Sequence, residues 1–259
     1  MDEELTLLLI DGMNVIRRVY EANDEDTPEK KTVVALRSAF ASIRNILKES
    51  PHTHALLAID HGGDTWRHRL YPQYKANRGP MPPELRAAIP DFLKKLKEEQ
   101  GLFSLSIPGV EADDVIATCV RKWTEADRGE VIVVSTDKDL TWLIAHGAKI
   151  RNYFDKSWRT DEWCMQKFGV HCGQVLDFLA LMGDKVDGIP GLKGCGPKTA
   201  AKWLTQYGNL QGIYDNLDKI EGKIGQTLRD NIEDVKLSRK LTLLHSSVKC
   251  GIKWGDLRR

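Results

Sequence analysis

Leu5-Thr-Leu-Leu-Leu-Ile-Asp11-Gly12 is the stretch that decides the fold. A short apolar run closing on an acid and a glycine reads as a buried strand feeding a turn. Ala55-Leu-Leu-Ala-Ile59 repeats the device and ends in Asp60, and Glu130 to Val134 repeats it again before Ser135-Thr-Asp137. Between the first two, Val33, Leu36, Phe40, Ile43 and Leu47 keep helical spacing over Thr32 to Leu47. Strands that are apolar throughout, alternating with helices, imply an α/β fold with a mostly parallel central sheet flanked by helices. In such sheets ligands gather beyond the carboxyl ends of the strands. Asp11, Asp60 and Asp137 are therefore expected on one rim.

Working outward, residues 71 to 90, YPQYKANRGPMPPELRAAIP, read as an irregular, basic excursion over that rim. Lys94, Lys95, Lys97 and Glu98 look like the exposed face of a helix that buries Phe92, Leu93 and Leu96. Beyond about residue 170 strand signals fade and helices take over. The division expected is an α/β core over 1–169, with a short arch at about 71–100, and a helical region over 170–259.

Composition sets the outer limits. With 259 residues, 41% of them hydrophobic, the chain can bury a sizeable core. No run of 18 or more apolar residues appears, and Met1 to Glu4 is acidic where a signal peptide would be basic. A cytoplasmic protein is expected. Cys119, Cys164, Cys172, Cys195 and Cys250 are odd in number and form no C-x-x-C pair, so reduced structural thiols are expected rather than disulfides or zinc. His52, His54, His61 and His68 lack the helical i, i+4 spacing of a zinc motif.

The chemistry lies in the acids. They fall in four clusters: Asp11 and Asp60; Glu111-Ala-Asp113-Asp114; Asp137-Lys-Asp139; and Asp184-Lys-Val-Asp187. The second cluster opens a helix, where the dipole tolerates negative charge. Asp184 and Asp187, spaced i, i+3, would share one helical face. So many carboxylates share a rim only if cations neutralise them. Hard oxygen donors without thiolate or imidazole select Mg²⁺ or Mn²⁺. Two such ions about 4 Å apart can drive an in-line phosphoryl displacement.

The net charge of +1 hides a partition. Of 37 Asp and Glu, these nine are in the clusters, which leaves 28 against 38 Lys and Arg, or about +10 for the remaining body. A basic body around an acidic pocket suits a nucleic-acid substrate. Lys75 and Arg78 can reach a phosphate from the excursion, Tyr74 can stack on a base, and Arg17 and Arg18 follow Asp11 closely. Ile189-Pro-Gly-Leu-Lys-Gly-Cys-Gly-Pro-Lys-Thr-Ala-Ala201 has the form of a helix-hairpin-helix, spanning about 176–207. Gly191, Gly194 and Gly196 let the backbone approach a phosphate. Pro197 starts a helix whose first turn, with Lys198 and Thr199, can hold an anion. A single-strand ribonuclease on a similar acidic scaffold and a non-enzymatic branch-binding module are the two rival readings.

These residues together resemble the bacterial and phage 5′-nuclease (flap endonuclease) family, which includes the nuclease domain of DNA polymerase I and stand-alone proteins of the exonuclease IX type. The likeness runs through LLLIDGMN, YKANRGPMPPELR, GVEADDVIAT, STDKDL and DFLALMGDKVDGIPGLKGCGPKTA, and IRNYFDKSW leans towards the stand-alone group. It implies a PIN-like 5′-nuclease fold with an arch, and 5′-3′ exonuclease and flap endonuclease activity on DNA by two-metal hydrolysis, leaving a 5′-phosphate. Glu111, Asp113, Asp114, Asp137 and Asp139 would serve the first ion and Asp184 and Asp187 a second, with Asp11 and Asp60 acting through water. Lys75 would lie near the scissile phosphate, with Arg78 and Arg18 close by. The hairpin would bind K⁺ through backbone carbonyls of Pro190, Leu192 and Cys195, near Leu181 and Met182. Branched or 5′-ended duplex DNA is the implied partner, an RNA–DNA hybrid an alternative. A monomer is expected, and any polymerase would be a separate protein.

Overall fold

The computed structural model describes residues 4–259; the acidic start at Met1, Asp2 and Glu3 lies outside them. The three expected strands are β1 (Thr6–Asp11), β2 (His54–Ala58) and β4 (Glu130–Val134), joined by β3 (Phe103–Leu105), β5 (Ala148–Arg151) and β6 (Trp158–Arg159). The sheet order is β3-β2-β1-β4-β5-β6, parallel except for the last pair. β1 lies between β2 and β4, and all six of its residues are buried. Leu7 and Leu9 face one core, with the helix at Ala112–Glu125; Leu8 and Ile10 face the other. Burying each such side chain is worth about 1.5–3 kcal/mol, which explains the uninterrupted apolar run.

Before the second strand come α1 (Gly12–Glu21) and α2 (Pro28–Glu49), and α3 (Trp66–Leu70) and α4 (Pro83–Gln100) follow it. α2 is longer than its apolar spacing announced, because Thr27 caps it through the Lys30 amide and Pro28 sets its first turn. The stretch read as irregular to residue 90 is irregular only to Pro82. α4 runs from Pro83 through an internal Pro90 and packs its Phe92 and Leu96 into the α2-side core. Most of the expected arch is thus a helix laid on the body.

α5 (Ala112–Glu125) follows β3, and α6 (Asp161–Phe168) follows β6. The helical region holds α7 (Val175–Met182), α8 (Pro197–Tyr207), α9 (Leu210–Tyr214), α10 (Gly222–Asp230) and α11 (Ile232–Thr242) around their own core. The last residues run back along α5. Thr118 Oγ accepts from Val248 N at 3.1 Å, and Arg121 Nε donates to the Ser246 carbonyl at 2.7 Å. Arg259 N finally donates to the Thr53 carbonyl at 2.8 Å, beside the start of β2.

Candidate active site

Parallel register brings the acids together. Ile10 is level with Val134 and Asp11 with Ala58, so Asp11, Asp60 and Asp137 leave the same edge of the sheet. They open, with Asp113 and Glu111, into a cavity of about 260 Å³ bordered by Lys75, Arg78, Arg17 and Arg18. A larger, mainly apolar cavity of about 520 Å³ lies between the end of α2 and β6 and contains none of these acids.

Asp11 caps α1 by accepting from the Asn14 amide at 3.1 Å, and its other oxygen accepts from Ser135 Oγ at 2.8 Å. Asn14 Oδ1 in turn accepts from the Thr136 amide at 3.1 Å, tying the β1 turn to the β4 turn. Asp60 accepts from the Ala112 amide at 2.7 Å and so fixes the start of α5. The first turn of α5 therefore delivers Asp113 beside Asp11 and Asp137.

Electrostatics divides the acids into two groups. Burial, reinforced by Asp60, lifts the Asp11 carboxyl to about 7 despite its bonds to Ser135 and Asn14. Burial and the adjacent Asp137 lift Asp139 to about 7, and burial with Asp137 and Asp11 raises Asp113 well above the usual range. Asp60 is raised by desolvation too, although it faces solvent, where screening trims the effect. Glu111 and Asp184 go the other way. Burial opposes their charge, but Lys75 and Arg67 outweigh it at Glu111, and Lys138 outweighs it at Asp184. Acids at which burial and neighbouring carboxylates outweigh any nearby cation are thus held towards the neutral form, which is the deficit that divalent cations would fill.

The protein's own cations stand close by. Lys75 Nζ donates to Glu111 at 2.8 Å and lies 3.9 Å from Asp187; Arg78 pairs with Asp187; Lys138 Nζ donates to Asp184 at 2.6 Å. Among the described residues no three Asp, Glu, His or Cys side chains already sit in ion-holding geometry. The donor set still fits a hard cation. It is all carboxylate, and Asp139 Oδ1 is a buried oxygen without a hydrogen-bond partner.

Several expectations need correcting. Asp114 is not on the rim: it is fully buried and accepts from both Arg67 Nη atoms (2.9 and 2.8 Å), Trp66 Nε1 (3.0 Å) and the His245 amide (2.9 Å). Tyr74 is only 3% exposed, donates its hydroxyl to Glu111 at 3.1 Å and packs edge-on against His68, so it offers no face to a base. Asp184 and Asp187 share no helix. They lie in a tight turn closed by paired amide bonds between Asp184 and Ile189. This turn is latched to the basic excursion, since the Lys75 amide donates to the Asp187 carbonyl at 2.8 Å. Arg18 is exposed beside the cavity and lies 4.9 Å over the Phe154 ring.

Arg67 was not anticipated. Its five donors serve Glu111, Asp114 (twice) and the carbonyls of Leu241 and Leu243, at 2.6 to 3.0 Å. It therefore ties Glu111 to the end of α11. An arginine in a mixed, aromatic segment carries no periodic signal, and its partner acids are 44 and 47 residues away.

The expected hairpin lies between α7 and α8. The Leu181 carbonyl accepts from the Leu192 amide and the Leu192 carbonyl from the Cys195 amide, at 2.8 and 2.9 Å. Gly191 has φ +65, and a Cβ there would sit 2.3 Å from the Gly183 nitrogen; one at Gly183 would meet the Ile189 and Pro190 carbonyls at 2.8 Å. Only glycines allow this crowding of carbonyls from Pro190, Met182 and their neighbours. Gly196 caps α8, Pro197 starts it, and Lys198 stands exposed in the first turn beside Thr199, with Gly194 exposed on the approach.

Comparison with known proteins agrees with this architecture. The flap endonuclease Xni of Shewanella pealeana is 35% identical over 253 residues, covering 97% of this chain and 96% of that protein. DNA polymerase I of Mycobacterium tuberculosis is 36% identical over 244 residues, covering 92% of this chain. The chain spans only 27% of that polymerase's length. Among solved structures, a T5 5′-exonuclease mutant superposes with a TM-score of 0.74 at 22% identity, over 93% of this chain and 89% of that one. The zinc-bound T5 5′-exonuclease gives 0.73 at 24% identity, over 93% and 90%. Two family models, the 5′-3′ exonuclease N-terminal resolvase-like domain over residues 6–169 and the 5′-3′ exonuclease C-terminal SAM fold over residues 170–259, account for almost all of the sequence, and the chain belongs to the 5′-3′ exonuclease family.

Proposed function

We propose that the chain is a structure-specific 5′ nuclease, a 5′-3′ exonuclease and flap endonuclease that hydrolyses DNA phosphodiesters and leaves 5′-phosphates. One observation carries the reading: three strand ends and a helix start deliver Asp11, Asp60, Asp137 and Asp113 to a cavity edged by Lys75 and Arg78, and burial with mutual repulsion pushes Asp11, Asp113 and Asp139 towards neutrality. Asp113, Asp137, Asp139 and Glu111 would hold one Mg²⁺ or Mn²⁺, and Asp184 and Asp187 a second, with Asp11 and Asp60 fixing water. When bound, the pair supplies an activated water and charge stabilisation for both oxygens of an in-line displacement.

The chain's own groups do the rest. Lys75 and Arg78 can turn from their carboxylates to the scissile phosphate and oppose the charge that builds on it. The hairpin carbonyls would hold K⁺, while the α8 amides and Lys198 would take a duplex phosphate away from the cut. Branched or 5′-ended DNA is the substrate we assign, as the names of the stand-alone relatives suggest, with the hybrid as a variant. We further assign a monomeric, cytoplasmic protein working with a DNA polymerase as partner. Its five cysteines are all buried and unbridged, and no described helix is long and apolar enough to cross a membrane.

A 5′-labelled flap offered beside a single-stranded RNA of equal length tests the reading. Cleavage of the flap in Mg²⁺ or Mn²⁺, abolished by Asp137→Asn while flap binding in Ca²⁺ survives, is expected. Preference for the RNA would point to the ribonuclease reading, and no cleavage in either ion to a binding module.

A further inference from the structure

Lys138, between Asp137 and Asp139, has no part in the reading above. Its ammonium donates to Asp184 Oδ2 at 2.6 Å and lies 3.5 Å from Asp139 Oδ1. Among the described residues those two oxygens make no other hydrogen bond. Asp184 engages the Val186 amide through its other oxygen, at 2.8 Å, and Asp139 Oδ1 is buried without a hydrogen bond. The ammonium therefore occupies the space between an acid of the third cluster and an acid of the last, where a second divalent ion would have to sit.

We propose that Lys138 is a tethered competitor for the second ion, which binds only by displacing the ammonium from Asp184 and Asp139. This rests on the two-ion reading of the site. The anchor of the side chain is firm and its tip is free. The Lys138 carbonyl accepts from the Thr141 amide and hydroxyl at 3.1 and 2.6 Å, which fixes the backbone. The side chain is 38% exposed, so it can swing into water without leaving a void. Because the competitor is intramolecular, its local concentration is high at every protein concentration. Displacing a part-exposed, charge-assisted hydrogen bond should weaken the second ion by about 5- to 20-fold. Arg78 covers Asp187 in a similar way, but it has a phosphate to move to; Lys138 has only this pair.

The test is Mn²⁺ binding to the metal-free full-length chain, followed by electron paramagnetic resonance, without substrate. Lys138→Met, with Lys138→Gln as a second variant should the first fold poorly, is compared with Lys185→Met. Lys185 is exposed beside Asp184, so its loss removes the same unit charge without vacating the space. The expected result is a second Mn²⁺ bound about 5- to 20-fold more tightly in the Lys138 variants, a change under about two-fold in Lys185→Met, and retained weakness in Lys138→Arg. Equal shifts in the Lys138 and Lys185 variants would reduce the effect to long-range charge and overturn the proposal. Two ions bound with unchanged constants in Lys138→Met would overturn it while leaving the two-ion site standing. Failure of both wild type and variant to bind any Mn²⁺ would remove the two-ion reading and this proposal together.

Discussion

Replacing Arg67 by methionine tests whether the buried ion network holds the two halves of the chain together. Arg67 is 2% exposed and all five of its N–H groups are used, three on Asp114 and Glu111 and two on the carbonyls at the end of α11. Methionine fills much of the volume but leaves the fully buried Asp114 without its counter-ion. Removing one partner of a buried pair costs about 3–5 kcal/mol, mostly through the charge left behind. Domains of this kind have about 5–15 kcal/mol in total, so the variant should lose about a fifth or more of its stability. Urea unfolding followed by circular dichroism measures this as a lower midpoint at similar slope. Arg67→Lys keeps the charge but has three donors for five acceptors, and should fall between. Adding Asp114→Leu to Arg67→Met removes the stranded charge, so the double variant should be more stable than the sum of the two single losses predicts. An Arg67→Met midpoint within about 1 kcal/mol of wild type, or strict additivity in the cycle, would refute the reasoning.

Three further outcomes follow from the geometry. Asp11 and Asp139 keep protons up to about pH 7 in the folded chain, whereas in the unfolded chain they ionise near the ordinary 3.8; the native state therefore binds more protons, and metal-free stability should fall as pH rises from about 4 to 7. Thermal melts in chelator and in Mg²⁺ check this, since stabilisation by the ion should grow over the same interval; a chelated protein that gains stability across it would contradict the assignment. Gly191→Ala should cost about 2–4 kcal/mol, from its positive φ and its collision with Gly183, and should weaken duplex binding along with stability, by unfolding and gel-shift measurements. Lys198→Ala should leave the melting temperature unchanged, weaken binding to duplexes of any sequence, and lower the salt dependence by roughly one phosphate contact.

How much of this was legible in the sequence depends on the range of each cause. β1, β2 and β4 announced themselves because a strand buried on both faces must be apolar at every position. β3 has three half-buried residues and β5 alternates Ala-Lys-Ile-Arg, so the flank of the sheet carried no comparable signal. The acids at strand ends were legible because a parallel register puts strand ends side by side. Asp113 and Asp114 show where that logic stopped. Neighbours on a helix point about 100° apart, so if one faces the cavity the other must face away, and adjacency in sequence overstated convergence in space. Asp114 can face inward only because Arg67, 47 residues earlier, brings a counter-charge that no local pattern encodes. The same holds for Lys75 on Glu111, Arg78 on Asp187 and Lys138 on Asp184. Composition counted nine acids as equivalent, but the cation facing each one divides them. Asp11 and Asp113 pair with no lysine or arginine among the described residues, and Lys138, 3.5 Å from Asp139, does not offset burial and Asp137 there, so repulsion among these acids remains available to hold a divalent ion.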